Sequence, residues 1–108
     1  MVKLTVREVS MRDSQDNIFH GLQIRNSTQH GIFLAEDDQI ANTPAYGNIF
    51  DAINISSSGG AGIRVNDASC EYNVVSSAQL VGNSGGCVSE VTPGLVISST
   101  VVCRWDRS

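Results

Sequence analysis

At 108 residues the chain is one domain's worth; its 41% hydrophobic residues suffice for a core, and its 17% charged residues fall below the roughly 25% usual in a soluble domain. A net charge of −4, with Lys3 as the only lysine, excludes a nucleic-acid surface, which needs clustered Lys and Arg. No apolar run nears the roughly 20 residues that cross a bilayer, and the first residues lack the apolar stretch of a signal peptide.

Val, Ile and Thr total 26 residues against 5 Leu, while Ser, Asn and Gly total 32. β-Branched side chains suit pleated, half-buried surfaces and the small polar residues suit turns, so the chain reads as all-β. Leu4-Thr5-Val6 is an early strand, read as a copy of a later unit without its glycine. Asn17-Ile18-Phe19-His20-Gly21-Leu22-Gln23-Ile24 reads as two strands around a tight two-residue turn, and Gly31-Ile32-Phe33-Leu34 as a third. The pattern returns at Asn48-Ile49-Phe50-Asp51-Ala52-Ile53-Asn54-Ile55 and Gly62-Ile63-Arg64-Val65. It returns again at Asn73–Leu80, then more loosely at Gly85-Gly86-Cys87-Val88, and last at Leu95–Val102. No stretch keeps a helical apolar stripe, so no helix is expected to cap either end.

Phe19, Phe50, Val75 and Ile97 hold the same place in four copies, separated by 31, 25 and 22 residues. A period of 20–30 residues with variable insertions predicts a solenoid, and three short strands per period predict a triangular coil. Four coils follow, near 1–26, 27–57, 58–83 and 84–104, in one domain spanning 1–108. The inward columns are then Phe19, Phe50, Val75 and Ile97; Leu22, Ile53, Ala78 and Thr100; Ile24, Ile55, Leu80 and Val102; and Ile32 with Ile63. Asn17, Asn48 and Asn73 form a polar column at a turn, with amides free to bond along the stack and to local backbone.

Cys70, Cys87 and Cys103 are an odd set, so they cannot all pair within one chain. Spacings of 17 and 16 match no paired metal-ligand motif. They read as small hydrophobic side chains in strands, with a lean to reduced thiols. The last residues, Arg104-Trp105-Asp106-Arg107-Ser108, hold the only tryptophan, which reads equally as a cover for the final coil or as an incidental residue of an exposed tail.

The pattern Gly-Ile-x-Leu followed by Asn-x-Phe-x-x-Ile-x-Ile covers roughly residues 17–103. It resembles the right-handed parallel β-helix repeats of the pectate-lyase-like superfamily, which includes polysaccharide lyases, polygalacturonases, epimerases and phage tailspike depolymerases. The resemblance implies an extracellular or virion location and a polysaccharide or glycan partner. It also implies a groove along one sheet where acidic residues stack on adjacent coils. Members usually carry ten or so coils, so four uncapped coils point to a fragment or to a unit that hides its ends in an oligomer, a trimer by analogy with tailspikes.

Three groups carry candidate chemistry. Glu36 and Asp67 fall at equivalent places after the glycine units, as a stacked acid pair for catalysis or for sharing a cation, and Glu90 joins them if Gly85 is the fourth unit's glycine. Asp37 and Asp38 lie in the same loop as ligands of a weak calcium site; no other cofactor is expected. His20 sits one coil from Asp51, where a carboxylate orients an imidazole for proton transfer. Arg64 lies one coil from Phe33; the pair suits sugar binding, by stacking and by the neutralisation of a uronate that the family's lyases perform. Against each stands a plainer role as a solvated turn or surface residue. The expected function is a carbohydrate-binding or polysaccharide-processing segment, acting as a glycoside hydrolase or polysaccharide lyase if catalytic. The alternative is a non-catalytic stem of a tailspike or surface adhesin.

Overall fold

The computed structural model describes residues 4–37, 39, 43–91 and 94–104. Thirteen strands of two to four residues occur in them, with no helix. They are β1 (Leu4–Val6), β2 (Val9–Arg12), β3 (Ile18–His20), β4 (Leu22–Arg25), β5 (Ile32–Ala35), β6 (Ile49–Asp51) and β7 (Ile53–Ser56). The rest are β8 (Ile63–Val65), β9 (Val74–Val75), β10 (Ala78–Val81), β11 (Val88–Glu90), β12 (Val96–Ile97) and β13 (Val101–Arg104). No described helix is long and apolar enough to cross a membrane.

Every pairing is parallel and joins a strand to its counterpart in the next coil. The three sheets run β2-β5-β8-β11, β3-β6-β9-β12 and β1-β4-β7-β10-β13. The chain passes through them in that order four times, which makes a parallel β-helix of about four coils with three strands each. Period-2 alternation sends one side of each strand inward. Phe19, Phe50, Val75 and Ile97 pair in register, as do Val9, Ile32, Ile63 and Val88. Phe50, Ile24, Ile55, Ile32, Ile63 and Leu80 are almost wholly buried. The Phe19 and Phe50 rings stack with centroids 5.2 Å apart.

The fixed and variable parts of the repeat have different causes. Between the third and first sheets the first connection is residues 7–8, and the three that follow, 26–31, 57–62 and 82–87, are of equal length. They carry the glycine because coils touch there. A Cβ on Gly31 would lie 2.7 Å from the carbonyl oxygen of Gly62 and 2.3 Å from the side chain of Ile55. In the last described coil Cys87 takes this place, with no further described coil above it. The irregular spacing arises instead where the first sheet passes to the second, at 36–48 and 66–73.

The asparagine column forms as the repeat predicts. The Asn17 and Asn48 amide groups donate to the next coil's Asn side-chain oxygen at 3.1 and 3.0 Å, and the backbone N–H groups of Asn17 and Asn48 donate to the same oxygens, each at 3.0 Å. Asn48 and Asn73 also donate to the Ser14 and Ala45 carbonyls, so two fully buried amides are satisfied.

Four expectations are corrected. Leu4-Thr5-Val6 is not an early copy of the glycine unit: β1 pairs with β4, and Val9-Ser10-Met11 fills that role in β2. The last coil has one residue more at its tight corner, so Val101 and Cys103, rather than Thr100 and Val102, stand beside Ala78 and Leu80. Val88 is in register with Ile63, which shifts the fourth glycine unit and places Glu90 beside Val65, short of the Glu36–Asp67 level. Cys87 and Cys103 form a disulfide, while Cys70 is a buried free thiol. An odd count forbids full pairing but not one pair, and the register slip that brings these two together is not visible in their spacing. Burial pushes the Cys70 thiol above its usual range. Trp105 lies outside the described residues.

Candidate functional site

The second and third sheets meet at a corner made by Gly21 in the first coil and Ala52 in the second, both with left-handed backbone, φ 79° and 55°. In these two coils the corner turns on one residue between strands rather than two, while the third coil has two there, Ser76 and Ser77, and the last has three. On its second-sheet side the outward row is His20, Asp51 and Ser76, in register. On its third-sheet side the outward row is Gln23, Asn54 and Gln79. An open groove of about 390 Å³ runs beside these rows across all four coils, lined by His20, Asn54, Ser77, Gln79, Thr100, the small corner residues, Ile53 and, in register with Gln79 on the last coil, the exposed Val102.

Asp51 is the hub of the first row. Its carboxylate accepts from Ser76 Oγ at 2.7 Å and from His20 Nδ1 at 2.8 Å. These bonds, the Ser76 hydroxyl first and the His20 ring second, hold its pKa below the usual 3.8. With Nδ1 facing Asp51, Nε2 is left as the His20 nitrogen able to exchange a proton with a ligand. The order of groups matters for the chemistry. The carboxylate sits between hydroxyl and imidazole, so His20 cannot take the Ser76 proton as a triad histidine would, and the row makes no activated nucleophile.

Asn54 and Gln79 were not singled out as binding residues by sequence reasoning. Among the described residues neither side-chain amide has a hydrogen-bond partner, in contrast to the closed Asn17–Asn48–Asn73 column. Their outward alternation with Ile53, Ile55, Ala78 and Leu80 was the available signal. Thr100 was assigned to the core; the extra corner residue turns it to the groove.

The acidic candidates sit elsewhere, at the corner between the first and second sheets. Glu36 and Asp67 do fall on adjacent coils, and the backbone N–H of Glu36 donates to Asp67 Oδ2 at 2.8 Å. The Glu36 carboxylate accepts from the Ser69 hydroxyl. Both carboxylates thus brace their loops. Asp37 receives the backbone N–H of Gln39 at 2.8 Å, and its own N–H donates to Thr43. Asp38 lies outside the described residues. Among the described residues no three His, Cys, Asp or Glu side chains are grouped to hold a metal ion.

Phe33 and Arg64 are in register on β5 and β8. Arg64 donates to Ser89 Oγ at 2.8 Å. The cation over the Phe33 ring is Arg12, 5.3 Å from its centroid, and the His30 ring stacks at 5.8 Å. The His30 Nδ1 accepts the Ala61 N–H at 3.0 Å, which ties this cluster to the next coil and puts the neutral ring's proton on Nε2. Glu8, Ser10 and Gln29 complete a smaller hollow of about 180 Å³ around it.

No protein-family model, curated protein or solved structure matches the chain.

Proposed function

We propose that this chain is a glycan-binding segment of a parallel β-helix, of the kind found in the pectate-lyase-like superfamily and its tailspike members. The observation that carries the reading is the groove, which follows the solenoid axis past unpaired amides, a serine and a threonine hydroxyl, and an oriented imidazole. Three coil intervals give it about 14 Å, the length of a short oligosaccharide. Binding rather than cleavage is the activity. Glycoside hydrolysis ordinarily uses two carboxyl groups flanking the scissile bond, and among the described residues no carboxylate lines the groove: Asp51 stands beside it behind His20, and Glu36 and Asp67 lie at the other corner. The test is a glycan array probed with the labelled chain, followed by incubation of each bound glycan and analysis of its size. Retention of a glycan without shortening supports the reading; retention of none overturns it.

A second reading rests on a separate observation. Ile18, Ile49, Val74 and Val96 form an outward apolar row on the second sheet, with Ile18 72% and Val96 54% exposed, and the Tyr46 and Tyr72 rings meet edge to face nearby. Such a row suits a stem that associates with other copies of itself, a trimer in the tailspike manner.

A further inference from the structure

Resting on the glycan-binding reading, we infer that the groove over the Gly21–Ala52 corner selects uncharged glycans and discriminates against uronates and sulfated sugars. The argument is one of matching donors and acceptors. A sugar hydroxyl both gives and accepts a hydrogen bond, and so does a carboxamide, whose oxygen accepts while its NH₂ donates. Asn54 and Gln79 present two such groups on successive coils with no partner in the described protein, and Ser77 adds a hydroxyl of the same dual character, whereas the Thr100 hydroxyl already donates to the Ser76 carbonyl and bonds to Ser98.

A carboxylate or sulfate only accepts and is bound best by Arg or Lys. Among the described residues none lines this groove. Arg25 and Arg104 belong to the neighbouring outward row, at the first and last coils, and between them that row carries Ser56 and Val81. Among the described residues His20 is the only lining group that can become positive, and the ionised Asp51 carboxylate bonded to it opposes an approaching anion. The net charge of −4 acts in the same direction at long range.

The floor supports the same assignment. Gly21, Ala52 and Ala78, with Ile53 behind them and the exposed Val102 at the last coil, leave an apolar surface against which the C–H face of a pyranose ring can lie while its equatorial hydroxyls reach the amides on one side and His20 on the other.

The experiment uses the whole chain, its Asn54→Ala and Gln79→Ala single variants and their combination, each checked for a parent-like melting curve. Calorimetric titrations are run with neutral hexasaccharides of glucose, mannose and galactose, and with hexasaccharides of galacturonate and of sulfated galactose, at physiological salt. The expected result is binding of at least one neutral probe, weakened about tenfold by each single variant, as for the loss of one or two hydrogen bonds. The acidic probes bind at least tenfold more weakly. Preferential binding of an acidic probe overturns the inference and leaves the glycan reading standing. Neutral binding that both single variants leave unchanged overturns the groove as its site. Binding of no probe, together with an empty glycan array, overturns both readings.

Discussion

Ala52 holds a conformation that L-residues adopt at a cost of roughly 1–2 kcal/mol. The reason is positional: the corner turns on a single residue, and in the first coil Gly21 fills it without penalty. Ala52→Gly is therefore expected to raise stability by about 0.5–1 kcal/mol, and Gly21→Ala to lower it by about 1 kcal/mol, read as shifts in urea midpoint. Opposite signs at equivalent positions test the corner directly. Asp51 adds a pH dependence. Its pKa is lowered in the folded state, so its bonds to Ser76 and His20 contribute fully above the ordinary value of 3.8 and are lost as the pH falls through the folded value. Melting temperatures of the parent and Asp51→Asn should differ at pH 6 and converge below that range; a gap that persists unchanged in acid refutes the assignment.

At the scale of the strand and coil, the inward columns hold the coils together. Ile53 is 2% exposed between Ala78 and the corner, so Ile53→Ala should cost about 2–5 kcal/mol, and Ile53→Asp should unfold the chain. Asn54→Asp, one residue on and facing outward, should fold. Circular dichroism melts distinguish the two, and reversed outcomes mean a register wrong by one. The Cys87–Cys103 disulfide joins the edge strand of the third sheet to the start of the first sheet's edge strand. Closing a loop of about 16 residues is worth roughly 3 kcal/mol, so a reducing agent should lower the melting temperature and the Cys103→Ser variant should show no such drop. Much of this was legible in the sequence because apolar periodicity and the recurring Asn and Gly are local signals. The in-register column from Phe19 to Ile97, buried at Phe50 and Val75 though exposed at Ile97, the Asn ladder and the neighbouring levels of Glu36 and Asp67 all follow from them. The last coil was not legible, since one extra residue at Ser99-Thr100 shifts every later side chain while leaving an equally plausible pattern. The groove was not legible either. It depends on how closely two sheets approach at a corner, and the motif there, small residues flanked by amides, is what any exposed turn contains.

Over the whole molecule, parallel pairing leaves the outer strands of each sheet with an unpaired edge among the described residues, and the second sheet adds its outward apolar row. Both features favour association. Light scattering at high protein concentration should give a multiple of 11.5 kDa, and Ile18→Lys with Val96→Lys should shift it toward the single-chain mass if the row is the contact. Unchanged association would point to the edges instead. The even stacking has a further consequence for size selection. With each coil touching only its neighbours, the solenoid works as a ruler graduated in steps of about 4.8 Å. Excising residues 49–73 would splice Asn48 to Val74, put Asn48 where Asn73 stood, and remove one graduation while the surviving columns stay aligned. On the proposed glycan-binding reading, the polymer length the groove accommodates is written in its number of coils, and duplicating or losing a repeat lengthens or shortens that reach without redesigning a single side chain.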